Sequence, residues 1–382
     1  MLVKNRTNQL SWIYWGTIIS SLGTFTFPGA TMGILMQQDA PLWKIGFVMG
    51  LTRLGTLVGT FFLGDISDRV DAKKVVFTTE ILAFLLSCLL ILSWKMGDNG
   101  FSLFSLAVFF RFVVISVGAP GRNKMIKALT DEYNKNHFHS AVLLNAATYG
   151  PGVVGSLLGF FAIKFFSYNW VLIFDAATFI LNGAIIYWLI DTNPIIQPNN
   201  LKIFQKFQIY FSHRKLFLFD ILLTLPFVGT NVLMARISNG VGYRIPLLLS
   251  TFGLGAIIAP ILLQNKTINK NHSIGHLTVL SSFLGLIAFQ QNFLISSLFV
   301  ALRNVGYWYL FSLYTGLLQT RENIKSIGSL FAARSFILTL LLGLGEFMFG
   351  IIGSSISLGT DLWIRASVMI CLYLLSLKVQ KI

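Results

Sequence analysis

Apolar runs of about twenty residues, separated by short charged or turn-forming stretches, recur along the whole 382-residue chain. Each is roughly the length a helix needs to cross about 30 Å of hydrocarbon. The pattern predicts twelve spans, at 10–36, 44–64, 74–94, 101–121, 141–163, 170–190, 216–234, 244–263, 273–290, 293–318, 326–351 and 359–377. The two-residue alternation of a barrel strand is absent. The expected fold class is therefore an all-α polytopic membrane protein. The first run, from Leu10 to Met36, is too long for the core of a removable signal peptide and reads as the first span.

The longest polar interruption, residues 191–215, opens with Asp191-Thr192-Asn193-Pro194 and has a second proline at Pro198. It divides the chain into two six-helix halves, 1–190 and 216–382. Inside it Ile203, Phe204, Phe207, Tyr210 and Phe211 recur at helical spacing, with Lys202, Gln205 and Lys206 between them. This predicts an amphipathic helix on the inner membrane surface; the alternative is a calmodulin-type docking segment. Arg111 in span four and Arg303 in span ten stand 192 residues apart, close to half the chain, which fits an internal duplication.

Composition agrees. The chain is 55% hydrophobic and 11% charged, with 35 Phe and a mean hydropathy of +0.73, whereas soluble domains carry about a quarter charged residues. The net charge of +15 raises nucleic acid as a partner, but the basic residues are scattered between apolar runs and form no contiguous patch. They fit topology instead. Most lie in segments on the N-terminal side, and the opposite side has only Lys44, Lys95, Lys164, Arg236, Arg244 and Arg365 in or near its loops. The positive-inside rule then puts both termini in the cytoplasm. Cys88 and Cys371 sit in separate apolar runs and are expected as buried, unpaired thiols.

Between spans two and three lies Gly64-Asp65-Ile66-Ser67-Asp68-Arg69-Val70-Asp71-Ala72-Lys73-Lys74. It resembles the helix 2 to helix 3 loop of the major facilitator superfamily, G-x-L-A-D-R-x-G-R-K, at Gly64, Ile66, Ser67, Asp68, Arg69 and Lys73. Asp71 and Ala72 depart from it. The resemblance implies a fold of twelve helices in two halves that alternately open to each side, working as a monomer in a bacterial inner membrane. It also implies that Asp68 latches onto the N-terminus of helix 11, near Ser326–Ser329, with Arg69 and Lys73 adding ion pairs. The plainer reading is that these charges only set topology. Span five holds Gly150-Pro151-Gly152-Val153-Val154-Gly155, similar to the G-P-x-x-G-G antiporter motif of drug exporters. Gly150, Gly152, Gly155 and Gly159 would also admit a close neighbouring helix, and Pro151 a bend. Ser20-Ser21-Leu22-Gly23, Pro120 and Asp175-Ala176-Ala177 resemble features of the macrolide and enterobactin (siderophore) exporter branch, although Thr24 replaces an acid often found there.

Charged residues inside spans carry the functional expectation, because a charge at a helix centre costs about 2.5–3.5 kcal/mol on insertion scales and needs a cavity or a partner. Arg53, Arg111, Arg303 and Arg334 are such residues, with Glu80, Asp175, Asp220 and Glu346. The family resemblance implies that helices 1, 4, 7 and 10 line the central cavity and helices 3, 6, 9 and 12 lie outside, so that Glu80 and Asp175, on outlying helices, read as structural partners of nearby cations or backbone donors. The resemblance therefore makes Arg111 and Arg303 the leading substrate or coupling residues, the alternative being structural ion pairs. Asp220 is the acid on a cavity helix, with an interfacial role as the alternative because it lies about a turn inside span seven, and Glu346 is a candidate proton carrier, since burial favours the neutral form of a carboxyl group. Arg53, Arg111 and Arg303 have no equally central acid, which favours an anionic substrate. Tyr307 and Trp308, with Tyr309, follow Arg303 and offer rings beside its guanidinium.

The leading functional expectation is proton-coupled export of a small organic compound, a siderophore-like anion or a drug, with the proton gradient in place of a cofactor. An importer of the same fold is the alternative, and a non-transporting membrane sensor is the alternative from another class. An enzyme is not expected: His137 and His139, near Asp131 and Glu132, lack a third metal ligand at helical spacing.

Overall fold

A computed structural model describes residues 9–63, 66–132, 143–144, 147–191, 221–264, 272–321 and 324–379. Every regular element among them is helical: α1 Gln9–Gln37, α2 Leu42–Leu57, α3 Ile66–Arg69, α4 Ala72–Lys95, α5 Phe101–Glu132, α6 Pro151–Phe165, α7 Tyr168–Leu189, α8 Thr230–Ile237, α9 Arg244–Gln264, α10 His272–Phe289, α11 Phe293–Arg321, α12 Ile324–Ile352 and α13 Leu358–Val379. Nine helices in this part are long and apolar enough to cross a membrane, and two shorter apolar helices cover Ile221–Ile237 and Arg244–Ile258. The linker 192–215, Asp220, Gly64 and the two histidines His137 and His139 lie outside the described residues.

The burial pattern is that of a protein in lipid. Trp15, Leu85, Trp188, Leu294, Leu298 and Ile351 stand exposed, while Arg111, Asp175, Arg303, Glu346, Asp361 and Arg365 are buried. Apolar side chains pointing outward from a charged interior would be costly in water and are favourable against hydrocarbon. Both cysteines are free; Cys88 is half-buried, and Cys371, expected inside, is on the exposed face of α13.

Two compact units divide the chain: Met1–Thr31 with Leu51–Asn200, and Met32–Gly50 with Leu201–Ile382. The division does not follow the chain midpoint, because the start of α2 packs in the second unit. There Gly46 lies so close to the Glu346 carbonyl and Gly350 of α12 that a side chain would collide with both.

In the first unit glycines set the helix crossings. A Cβ at Gly155 of α6 would lie 2.7 Å from the Leu22 carbonyl of α1, and one at Gly159 would lie 3.1 Å from that of Thr26. The span-five glycine stripe is thus a close-packing face against α1. Pro151 stands at the start of α6 after a turn at Gly150, so the helical ladder is interrupted where the proline lacks an N–H. Pro120, which the exporter resemblance has closing span four, instead lies inside α5, which runs on to Glu132.

Around residue 71 the motif residues cap helices. Asp71 Oδ1 accepts from the Lys73 amide at 3.0 Å and starts α4. Lys73 Nζ donates to the Ile190 carbonyl at 2.6 Å, a cation on the C-terminal end of α7. Arg69 is exposed at the end of α3. The side chain of Asp68 and those near Ser326 lie outside what is described.

Candidate functional site

Arg111 stands ten residues into α5 and Arg303 ten residues into α11. At about 1.5 Å per residue that is about 15 Å, half the hydrocarbon thickness. Both side chains are almost wholly buried, Arg111 at 0% exposure and Arg303 at 1%.

Arg111 has an acid and a hydroxyl as partners, with Nη1 left without a hydrogen bond among the described residues. Its Nη2 donates to Asp175 Oδ1 of α7, and its Nε donates to Ser87 Oγ of α4 at 3.3 Å. Ser87 in turn donates to Asp175 Oδ2 at 2.9 Å, closing a triangle across three helices. The guanidinium sits 4.6 Å from the Phe27 ring centre and 5.1 Å from those of Phe112 and Phe179. Gly23 of α1 makes room for Asp175, since a Cβ there would lie 3.1 Å from its Cα. The sequence reading left Arg111 without a central acid; the structure corrects this, because Asp175, seven residues into α7, lies level with it. About two to three turns along the same helices, Arg122 Nη1 of α5 pairs with Glu80 Oε1 of α4 at 2.9 Å, and Ser20 Oγ donates to Glu80 Oε2 at 3.3 Å.

Arg303 is surrounded differently. Its Nη2 donates to Asn304 Oδ1 at 3.0 Å, and Asn304 is held by donating to Thr251 Oγ1 of α9 at 2.8 Å. Among the described residues its Nε and Nη1 have no hydrogen-bond partner. What lies around it is aromatic. The guanidinium is 5.4 Å from the Phe227 ring centre, and Phe227 meets Tyr307 at 4.4 Å. Tyr307 continues to Phe252 and Phe311, and Trp308 packs on Phe252 at 5.2 Å. The structure thus brings Arg303, Tyr307 and Trp308 together, whereas Tyr309 turns into the packing with Gly275 of α10. Glu346 acts on Arg303 through its charge, and Arg365 opposes it.

Glu346, on α12 and 1% exposed, is bound to backbone. The seventh span is broken: a tight turn at Leu225–Phe227 is followed by Gly229 at φ 66, and α8 restarts at Thr230. Glu346 accepts from the first free amides of the restart, Asn231 N at 3.1 Å and Val232 N at 3.4 Å. On the other side Arg365 Nη1 of α13 donates to the carbonyls of Pro226 at 2.7 Å and Val228 at 2.6 Å. Asp361 holds Arg365 at 2.7 Å and Arg236 at 3.0 Å. The sequence reading counted Arg365 among loop charges; it is 2% exposed inside α13. Phe227 and Arg365 were missed as site residues. The signal was available as spacing, since Phe27 and Phe227 both stand beside a proline and beneath an arginine.

Arg334 lies 4.7 Å from the Phe311 ring centre. Arg53 is half-buried in α2, with its charge acting on Tyr149. Among the described residues no group of three His, Cys, Asp or Glu stands together as a metal site.

The family model of the Major Facilitator Superfamily matches residues 13–346. Among solved structures, the nucleoside transporter NupG is similar with a TM-score of 0.73 at 12% identity, covering 98% of this chain and 100% of NupG. The xylose transporter XylE from E. coli, in a partially occluded inward-open conformation, is similar with a TM-score of 0.70 at 12% identity, covering 97% of this chain and 99% of XylE. At that identity the likeness is one of fold. No curated protein sequence matches the chain. An arginine ten residues into a helix in each of two units, an interrupted seventh span and a family match over most of the length have one common account: the chain belongs to the major facilitator superfamily and is an integral membrane transporter.

Proposed function

We propose that the protein is a proton-coupled exporter of small organic anions, with Arg303 as the anion-binding residue and Tyr307, Trp308 and Phe227 as the surface for an aromatic or other planar body. The observation that carries this reading is the guanidinium of Arg303, buried, faced by the Phe227 ring and with Nε and Nη1 unpartnered among the described residues. A buried guanidinium with unpartnered donors is costly, and a carboxylate substrate supplies a charge in direct contact and the hydrogen bonds. Rings within reach of the same group favour a substrate with stacking faces, as in a carboxylate-rich siderophore. Arg111 takes the other role left open by the sequence, a structural ion pair, because the Asp175 carboxylate already neutralises it.

Export is the direction favoured by the likeness of Gly150-Pro151 and Gly155 to the antiporter motif, and cytoplasmic termini follow from the distribution of basic residues. Glu346 is the proposed proton carrier, since it is a buried carboxylate within electrostatic reach of Arg303.

Everted membrane vesicles test the reading. Aromatic carboxylates are expected to accumulate when an acid-inside gradient is imposed, and uncharged analogues are not. Accumulation that ignores the gradient removes the proton, and uptake by intact cells expressing the protein reverses the direction. Transport confined to neutral or cationic compounds removes the anion.

A further inference from the structure

The break in the seventh span has both of its ends held by buried charges of opposite sign from two other helices. A helix interrupted in a membrane exposes unpaired carbonyls before the gap and unpaired amides after it, and such backbone survives only where protein groups satisfy it. Here Arg365 takes the carbonyls of Pro226 and Val228, and Glu346 takes the amides of Asn231 and Val232. The complementarity is electrostatic as well as geometric, a cation on a C-terminal end and an anion on an N-terminal one.

Local packing fixes the two clamps at their positions. Gly345, next to Glu346, lies where a side chain would run into Val228, so α12 approaches the gap itself. Gly229 adopts a left-handed conformation, with Phe349 of α12 against it. The same Phe349 ring lies 4.6 Å below the Arg365 guanidinium. Asp361 anchors Arg365 from one turn away. Between the clamped carbonyls sits Phe227, the residue whose ring faces Arg303.

We propose that Glu346 and Arg365 are positioning residues for the substrate site: by clamping the two sides of the gap they set Phe227, and through it the aromatic floor under Arg303. Neither needs to touch the substrate. The proposal rests on Arg303 as the anion-binding residue for its functional meaning, but the clamp itself is independent of any substrate. It makes the gap a discrete element that moves only when one of the two clamps lets go.

Hydrogen–deuterium exchange on the full-length protein in lipid nanodiscs tests the clamp without a ligand, comparing variants at one pH. Glu346→Leu is expected to speed exchange in peptides covering 228–237 by about tenfold or more, the factor for losing hydrogen bonds to a charged acceptor. Glu346→Gln, which keeps an acceptor oxygen, is expected to fall between that variant and the wild type. Peptides from α4 and α5 serve as the control and are expected to exchange at the wild-type rate. Unchanged exchange in 228–237, or equal acceleration in the control peptides, overturns the clamp. The functional arm uses carboxyfluorescein, an aromatic carboxylate, in everted vesicles. Arg365→Lys, which keeps one donor, is expected to raise its KM several-fold with little change in maximal rate, and Arg365→Leu to abolish transport. Normal kinetics in Arg365→Leu overturn the positioning role. Carboxyfluorescein transport that survives Arg303→Gln counts against Arg303 as the anion site instead, and leaves the exchange result standing on its own.

Discussion

Each unit places an arginine ten residues into a helix, and the two have different surroundings. In the first, Phe27 lies over Arg111 and an acid, seven residues into α7, pairs with it. In the second, Phe227 lies beside Arg303, but the position seven residues into α13 is held by Arg365. Arg365 is a second buried cation acting on Arg303, and it turns to the gap in span seven. The first span runs unbroken through Pro28, while the seventh is interrupted at Pro226–Gly229. One half pairs its arginine with an acid in contact, and the other leaves two nitrogens of its arginine without a hydrogen bond among the described residues.

The largest expected effect comes from breaking the ion-paired side. Asp175→Asn leaves Arg111 buried without its anion and is expected to cost about 3–5 kcal/mol, read as a lowered unfolding temperature in detergent. Replacing both members, Arg111→Met with Asp175→Leu, is expected to recover most of that loss, because an apolar pair needs no desolvation. Failure of the double variant to recover stability would mean that the pair does more than neutralise itself.

Gly155→Leu comes next. Its side chain would meet the α1 backbone, and the overpacking is expected to cost about 1–3 kcal/mol by the same unfolding assay. A smaller effect is expected at Lys73→Ala, about 1 kcal/mol, for the lost hydrogen bond at the end of α7. Arg303→Met is expected to have the least effect on stability, within about 1 kcal/mol of wild type, since the residue has only one hydrogen bond to lose among the described residues. A large loss there would make the two arginines alike and remove the contrast.

Much of this organisation was legible in the sequence, and the parts that were not have identifiable causes. Span length and apolarity predicted the long helices, because crossing a bilayer imposes a length that composition reports directly. The duplication was visible in the spacing of Arg111 and Arg303. Which of the two would be neutralised was not, because the answer lies on α7 and α13, helices taken as peripheral, and depends on which face of each turns inward. The gap in span seven was hidden because Leu225, Phe227 and Val228 keep the run apolar, and only Pro226 and Gly229 mark it. Glu346 was identified as a buried acid, but its role as a cap follows from backbone amides that a sequence cannot display. The glycines of span five showed that some helix comes close, without telling that it is α1.

The most direct test of the contrast is transport of an aromatic carboxylate in everted vesicles containing Arg303→Met, at expression and unfolding temperature matched to wild type. The account predicts a loss of transport of about a hundredfold, the scale for removing one charged hydrogen-bonding partner of a bound anion. Transport at the wild-type rate would contradict it and return the substrate site to other residues.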